Sequence, residues 1–291
     1  MKMQVKNTKQ NKTYLAAGIG ILCLLLFAIF LGCSGASEAA QKKFTYEYGV
    51  FLNAEPKDIP RMKDYRIIVL DAQYYSKKNI TKLKKAGHTV LSYINLGSIE
   101  EFRPYYKDYE DLTLSVYENW EDERWVDVTK KRWQNFVGKT LANRLLKKGV
   151  DGFFVDNTDV YYHYKTKAVF KGVTNILKKL KKKGYVLING GDTYVKAYGK
   201  KYKTLKPILS GVNQETIFSA VDWENDRELI ANDDENRRYF KSYVKFVKSF
   251  KKDVYLLEYT KDKSLIKKIK SYCRKNKFKY YITDTLDLTV P

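Results

Sequence analysis

The chain has 291 residues, of which 44% are hydrophobic, and it carries a formal net charge of +22. This apolar content is enough for the core of one large domain or two small ones. Only one of the three cysteines, Cys273, lies beyond the N-terminal region, which excludes a disulfide within the folded part of the chain.

Residues 1–43 have the composition of a targeting segment. Four lysines precede an apolar run from Leu15 to Gly32, and small and polar residues follow as far as Gln41. This pattern is typical of a secretory signal or of a single membrane anchor. Cys33 resembles the lipidated cysteine of a bacterial lipoprotein, whereas cleavage after Ala39 would release the domain. All three outcomes export the domain, either to the extracellular face of a bacterial membrane or as a secreted protein.

The positive charge predicts an anionic partner. The segment before Cys33 contains four lysines and no acid, so a chain cut there keeps a net charge of +18, which is 22 minus 4. Such a domain favours phosphate-rich cell-wall polymers or anionic headgroups. The lysines cluster on predicted helices and no nucleic-acid-binding motif is present, so nucleic acid is not expected. The alternative is a basic surface that only interacts with solvent. We also expect the protein to be a monomer.

Eight short apolar or β-branched runs follow in order, and most are separated by segments with helical periodicity. The predicted strands are Tyr46–Leu52, Arg66–Asp71, Thr89–Asn95, Gly152–Asp156, Val186–Asn189, Gly211–Glu215, Val254–Glu258 and Tyr280–Thr283. Strands that alternate with helices predict parallel β/α units. Eight units predict a closed (β/α)8 TIM barrel over residues 44–291. An open doubly wound sheet is the alternative, although no glycine-rich phosphate fingerprint follows the first strand.

One connection, Ser98–Val128, is longer than usual and rich in acids and aromatic residues. Connections of this length are often lids or binding loops. We therefore expect this segment to cover or line a site.

Acids or amides end seven successive predicted strands, from the second to the eighth. They include Asp71, Asn95, Asp156, Asn157, Asp159, Asn189, Asp192, Asn213, Gln214, Glu215, Glu258, Asp284 and Asp287. In a barrel the carboxyl ends of the strands meet on one face, where barrel enzymes place their active sites. Carboxylates and amides bind hydroxyl groups, and glycoside hydrolysis needs two carboxyl groups, an acid and a base or nucleophile. The pattern therefore favours a sugar substrate, although any single acid could also be a turn residue.

Other chemistries have weaker support in the sequence. The chain has two histidines, His88 and His163, and no spacing typical of a zinc site. No nucleophile-elbow motif for a catalytic serine is present. Asp156 and Asp159 could hold Ca²⁺ or Mg²⁺, but we expect no metal and no cofactor.

Several of these motifs together resemble glycoside hydrolase family 114. They are Val90–Gly97 with Glu100 and Arg103, Gly149–Asp159, Asn189-Gly190-Gly191, Gln214-Glu215 and Glu258-Tyr259-Thr260. The resemblance covers residues 44–291 and implies a TIM barrel with endo-α-1,4-polygalactosaminidase activity. It also implies that Asp156 and Glu215 are the catalytic pair, with Asp156 as nucleophile or base and Glu215 as general acid, or the reverse.

The resemblance implies substrate-binding residues as well. These are Asp71, Asn95, Asp159, Asn189, Asp192 and Glu258, with Tyr93 and Tyr259 shaping the pocket. For each of them, a helix N-cap or a loop hydrogen bond is the structural alternative.

The sequence therefore predicts an exported glycoside hydrolase that cleaves an amino-sugar polysaccharide of a biofilm or cell envelope internally. Because the domain is basic, it would repel a deacetylated, cationic polygalactosamine at long range. Either an acidic pocket overrides this charge, or the substrate is acetylated or neutral, or the basic surface holds the enzyme on an anionic wall. The alternatives are a non-catalytic glycan-binding barrel and a basic protein associated with the wall or with nucleic acid.

Overall fold

The structure, a computed structural model, describes residues 44–118 and 120–291. The predicted targeting segment, including Cys33, lies outside the described residues. Within them, no helix is both long enough and apolar enough to cross a membrane.

Eight parallel strands form the central sheet, as predicted. They are β1 (Tyr46–Phe51), β2 (Tyr65–Leu70), β3 (Thr89–Asn95), β7 (Gly152–Asp156), β8 (Tyr185–Asn189), β9 (Gly211–Glu215), β12 (Asp253–Tyr259) and β13 (Lys279–Thr283). They pair in that order, and β13 lies against β1. The sheet therefore curls into a nearly closed (β/α)8 barrel, and every predicted strand agrees with the structure to within one residue at each end. This arrangement rules out the open doubly wound sheet.

Helices surround the barrel. They are α1 (Lys77–Lys85), α2 (Lys131–Asn135), α3 (Ala142–Lys148), α4 (Val160–His163), α5 (Lys167–Lys181), α6 (Asp192–Tyr202), α7 (Asp234–Ser249) and α8 (Lys263–Asn276). A π-helical turn, Phe136–Leu141, joins α2 to α3. Side chains that accept hydrogen bonds from N–H groups of the first turn begin four of the helices: Ser76, Thr166, Asp233 and Asp262. Such caps satisfy N–H groups that have no partner within the helix.

Aromatic side chains pack on the barrel strands. The ring of Tyr48 on β1 lies 4.7 Å from that of Tyr255 on β12. Its hydroxyl reaches across to Asn213 Oδ1 on β9, at 3.1 Å. Where β1 meets β13, Phe51 and Tyr281 pack edge to face at 5.4 Å. These side-chain contacts link strands β1, β9, β12 and β13 of the barrel.

Two small antiparallel sheets follow the carboxyl ends of barrel strands. The long connection after β3 forms β4 (Ser98–Glu100), β5 (Thr113–Tyr117) and β6 (Trp120–Val126), in the order β4-β6-β5. After β9, β10 (Ser219–Asp222) pairs with β11 (Glu228–Ala231). Residues of both sheets line the cavity described next. The segment after β3, which was expected to cover or line a site, thus lines this cavity.

Candidate active site

A cavity of about 1250 Å³ opens at the carboxyl ends of the barrel strands. Side chains from the ends of six strands reach it: Asp71, Tyr93, Asp156, Asn189, Glu215 and Tyr259. This face is where (β/α)8 enzymes carry out their chemistry. The volume exceeds the usual range for small-molecule sites and accommodates more than one sugar ring.

Two carboxylates share one amide group at the centre of this cavity. The Asn189 Nδ2 group donates to Asp156 Oδ1 at 3.1 Å and to Glu215 Oε1 at 2.6 Å. Both bonds meet at one nitrogen, so the two oxygens lie no further apart than the sum of these distances, 5.7 Å. The structure thus places the predicted catalytic pair side by side.

A chain of hydrogen bonds fixes the orientation of that amide. Asn213 Nδ2 donates to Asn189 Oδ1 at 2.7 Å, and the Tyr48 hydroxyl donates to Asn213 Oδ1. Since the Asn189 oxygen is occupied as an acceptor, its NH₂ group must face the carboxylates. The barrel interior therefore sets the geometry of the pair.

The two carboxylates differ in their remaining hydrogen bonds. Asp156 Oδ1 also accepts from the Asn157 backbone N–H at 3.0 Å, while its Oδ2 accepts no hydrogen bond from the described residues. Glu215 Oε2 accepts from the Tyr259 hydroxyl at 2.6 Å. Asp156 thus has one oxygen held and one free toward the cavity, whereas both oxygens of Glu215 are held.

Burial makes both carboxyl groups weaker acids. Desolvation, with the neighbouring charge of Glu215, raises the pKa of Asp156 to about 8. Burial also raises the pKa of Glu215, against the opposing effect of the Tyr259 and Asn189 hydrogen bonds. Such a pair retains a proton near neutral pH and titrates as a unit. Acid–base catalysis requires this state of protonation.

A third carboxylate, Glu123 on β6, was not among the predicted site residues. Its Oε1 accepts from Asn95 Nδ2 at 2.8 Å, from Ser98 Oγ at 2.5 Å and from Asn157 Nδ2 at 2.7 Å. Burial, with the charge of Glu100, raises its pKa to about 7. Glu123 is therefore held by one oxygen against the cavity wall. Sequence reasoning missed it because β6 lies in the long connection and not at a barrel strand end.

Asp71 is part of an ion-pair network at the cavity wall. Arg103 Nη1 contacts Asp71 Oδ2 at 2.6 Å, and its Nη2 contacts Glu100 Oε1 at 2.7 Å. The guanidinium also lies 5.7 Å from the centre of the Tyr93 ring, which lines the same wall. Asp71 and Tyr93 thus both line the cavity, and the Asp71 carboxylate is already paired.

Three predicted substrate-binding acids lie away from the cavity lining. Glu258 is 0% exposed and accepts hydrogen bonds from the backbone N–H groups of residues 217–219. It therefore holds the segment after β9 and, contrary to the prediction, cannot contact a substrate in this structure. Asp159 and Asp192 form a separate pair, in which burial and the Asp192 charge raise the pKa of Asp159 to about 7. Asp192 contacts the Tyr239 hydroxyl.

Asn95 also lies behind the cavity wall. Its Nδ2 donates to Glu123, and its Oδ1 accepts from the Ser98 backbone N–H at 3.0 Å. It is absent from the cavity lining among the described residues. In the structure Asn95 positions Glu123, whereas the family resemblance implied that Asn95 binds the substrate directly.

Tryptophans from both small sheets stand at the mouth of the cavity. Trp120 is 43% exposed and Trp223 is 40% exposed, and their ring centres are 6.3 Å apart. The guanidinium of Arg227 lies 5.6 and 5.5 Å from the two rings. Exposed aromatic rings beside a polar cavity are suited to stacking on sugar faces. Trp120 lies in the connection that was predicted to line a site, whereas the sequence carried no signal for Trp223.

The cavity is acidic although the chain is basic. Eight residues of its lining are acids: Glu55, Asp71, Glu100, Asp122, Glu123, Asp156, Glu215 and Asp287. Among the described lining residues, Arg103 is the one basic side chain. No group of three or more histidine, cysteine or acidic side chains in the described residues is arranged to hold a metal ion.

The sequence matches the profile of Glycoside-hydrolase family GH114 over residues 33–288. This match covers most of the chain. The chain belongs to this family. It is therefore a glycoside hydrolase, and the family resemblance inferred from its motifs is confirmed.

Similar structures agree with the fold. The glycoside hydrolase domain of PelA from Pseudomonas aeruginosa superposes with a TM-score of 0.69 at 15% identity, covering 84% of this chain and 96% of that one. Aspergillus fumigatus Ega3, in complex with galactosamine, superposes with a TM-score of 0.61 at 15% identity, covering 86% and 95% of the two chains. An uncharacterized protein of Methanocaldococcus jannaschii is 23% identical over 271 residues, which is 82% of this chain and 74% of that protein.

Proposed function

We propose that this family member is an endo-acting hydrolase of an α-1,4-linked polysaccharide that contains galactosamine. The observation that carries the proposal is the placement of Asp156 and Glu215 on the two N–H bonds of one amide, at the base of a large acidic cavity. Family membership and the galactosamine bound to the similar Ega3 support the choice of sugar.

The spacing of the pair favours a retaining mechanism. Retaining glycosidases hold their carboxyl groups about 5–5.5 Å apart, whereas inverting enzymes need about 6.5–9.5 Å to fit a water molecule. The limit of 5.7 Å between Asp156 Oδ1 and Glu215 Oε1 agrees with the closer spacing of retaining enzymes.

We propose that Asp156 is the nucleophile and Glu215 is the acid–base. The free Oδ2 of Asp156 attacks the anomeric carbon, while Glu215 transfers its proton to the departing glycosidic oxygen. In the second step, Glu215 takes a proton from water, the water oxygen bonds to the anomeric carbon, and Asp156 leaves as a carboxylate. A hydroxyl both donates and accepts, so Tyr259 can remain bonded to Glu215 in either protonation state.

A cationic sugar fits this protonation scheme. The raised pKa of Asp156 favours its neutral form. An ammonium group in the cavity favours the carboxylate that attack requires. Glu123, held by three donors on Oε1, is the carboxylate that we propose binds this ammonium. The acidic cavity thus accepts a cation that the basic surface would repel.

The test is release of reducing ends from partly deacetylated α-1,4-galactosamine polymer. We expect activity in the parent, and its loss by about 10³-fold or more in Asp156→Asn and in Glu215→Gln. Proton NMR of the first product should show the α-anomer. A β-anomer would refute retention, and binding of polymer without cleavage by the parent would favour a non-catalytic glycan-binding barrel.

Glycosyl azide formation distinguishes the two roles. Added azide should rescue an Asp156→Gly variant with inversion, and a Glu215→Gly variant with retention. The opposite stereochemistry would exchange the nucleophile and the acid.

We also propose that the protein is exported through residues 1–43 and anchored by a lipid on Cys33. The lysine-rich start, the apolar run and the cysteine that follows support this. Cells grown with a labelled fatty acid should label the parent but not Cys33→Ser. Labelled protein exposed to external protease would support export, and an unlabelled, secreted product would favour cleavage after Ala39.

A further inference from the structure

A second cavity, of about 550 Å³, lies on the outer wall of the barrel between α5 and α6. Five lysines line it: Lys165, Lys167, Lys171, Lys178 and Lys201. No residue of its described lining is acidic. We call this surface the lysine groove. It is formed by different residues from the active-site cavity, and the proposed hydrolysis does not use it.

The lysines of the groove have no internal counter-ions. None of the five forms an ion pair within residues 44–118 and 120–291, whereas Lys196 on the same helix as Lys201 pairs with Asp192 at 3.5 Å. Clustered like charges repel one another unless an anion lies among them. The groove therefore concentrates positive charge that only an external anion can neutralise.

The position of the lysines on α5 also favours a bound anion. Lys165 and Lys167 flank the N-terminus of a 15-residue helix that has no acid in its first turn. The helix dipole disfavours cations there and attracts anions. Lys167, Lys171 and Lys178 follow at steps of four and seven, so they share one helix face. At 1.5 Å per residue they span about 16 Å, which is the scale of a linear chain rather than of one small ion.

Among the described residues that line the groove, one aromatic ring is exposed. Phe170 is half-buried and packs against Tyr194 at 5.2 Å, and Tyr202 is the exposed ring beside it. The ammonium of Lys201 lies 5.4 Å from the Phe170 ring and 5.3 Å from the Tyr202 ring. Single-stranded nucleic acids bind by stacking successive bases on open rings. The groove instead presents ammonium groups in a row.

We propose that the lysine groove binds a linear polymer with repeating phosphodiester groups and no bases, and so holds the enzyme on a phosphate-rich matrix. Each phosphate would lie against one or two ammonium groups along α5. Binding at this outer wall leaves the active-site cavity open to a separate glycan chain.

The test measures binding of fluorescently labelled poly(glycerol phosphate) to the full chain, kept in detergent, by anisotropy at 50 and 300 mM NaCl. The groove variant is Lys167→Gln/Lys171→Gln/Lys178→Gln. The matched control is Lys267→Gln/Lys268→Gln/Lys270→Gln on α8, which removes the same charge from exposed lysines. We expect affinity to fall on the order of tenfold in the groove variant and less than twofold in the control. Wild-type binding should also weaken with salt.

Equal losses in the two triple variants would refute a specific groove, because net charge alone would then explain binding. A loss seen only with phosphatidylglycerol vesicles would refute the polymer in favour of a membrane headgroup. Hydrolysis of galactosamine polymer should be unchanged in both variants, so failure here is distinguishable from failure of the proposed catalytic activity. If the groove variant melts at a lower temperature than the parent, the single variants Lys171→Gln and Lys178→Gln should each show part of the loss of polymer binding.

Discussion

Replacing Glu123 by glutamine separates charge from geometry in the active-site cavity. Glutamine has nearly the same volume, and its Oε1 can still accept from Asn95, Ser98 and Asn157, which all bond to one oxygen of Glu123. The substitution therefore removes a negative charge while keeping the hydrogen bonds that hold the side chain. We expect the free energy of unfolding to change by less than about 1 kcal/mol.

The loss of activity that we expect in Glu123→Gln is confined to cationic substrates. A carboxylate and an ammonium 4 Å apart interact by about 4 kcal/mol at an effective dielectric constant of 20. Desolvation of the two ions offsets much of this, and hydrogen bonds to charged groups contribute about 1.5–3 kcal/mol net. We therefore expect kcat/KM to fall by about 10- to 150-fold on deacetylated polymer and by less than about threefold on fully N-acetylated polymer.

Glu123→Gln should also move the pH dependence of the reaction. The charge of Glu123 helps to raise the pKa of Asp156, so its removal should lower that pKa. The pH limb that reports Asp156 should then move to lower pH. The control is Asp122→Asn, on the same strand and exposed at the cavity. Equal losses on both polymers, or an equal effect of the control, would refute ammonium recognition by Glu123.

Three further predictions concern Asp156, Glu215 and the residues that hold them in place. Tyr259→Phe removes the 2.6 Å hydrogen bond that lowers the pKa of Glu215. We expect kcat to fall about tenfold and the limb of the pH–rate profile that reports Glu215 to move to higher pH. An unchanged pH–rate profile would contradict this. Gly97→Ala would place a Cβ 1.9 Å from the Asn157 carbonyl oxygen. The free energy of unfolding should therefore fall by about 3 kcal/mol in urea melts. A midpoint equal to that of the wild type would show that the backbone shifts there without this cost. Because the folded state raises the pKa of Asp156 to about 8, it retains a proton that the unfolded chain releases above about pH 4. The free energy of unfolding should therefore decrease between about pH 5 and 8, less steeply in Asp156→Asn; an equal slope in both proteins would contradict the shift.

Local sequence was sufficient to predict the barrel and most of its catalytic end. A strand run such as Gly152–Asp156 is short, apolar and ended by an acid, so it can be recognised without knowing its neighbours. Parallel β/α topology then brings all strand ends to one face, which is why Asp156, Asn189 and Glu215 could be predicted to meet.

The function of each acid depended on contacts that no local pattern contains. Glu258 ends a strand just as Glu215 does, yet backbone N–H groups from the segment after β9 enclose it, while Glu215 faces the cavity. Glu123 lies in a connection and becomes part of the site only because β6 folds back beside Asn95. The sequence by itself determined the fold and the face on which the strand-end acids meet, and the family resemblance of its motifs singled out Asp156 and Glu215. Only the tertiary structure decided which acids are open to substrate, because burial and hydrogen-bond partners come from segments distant in the chain.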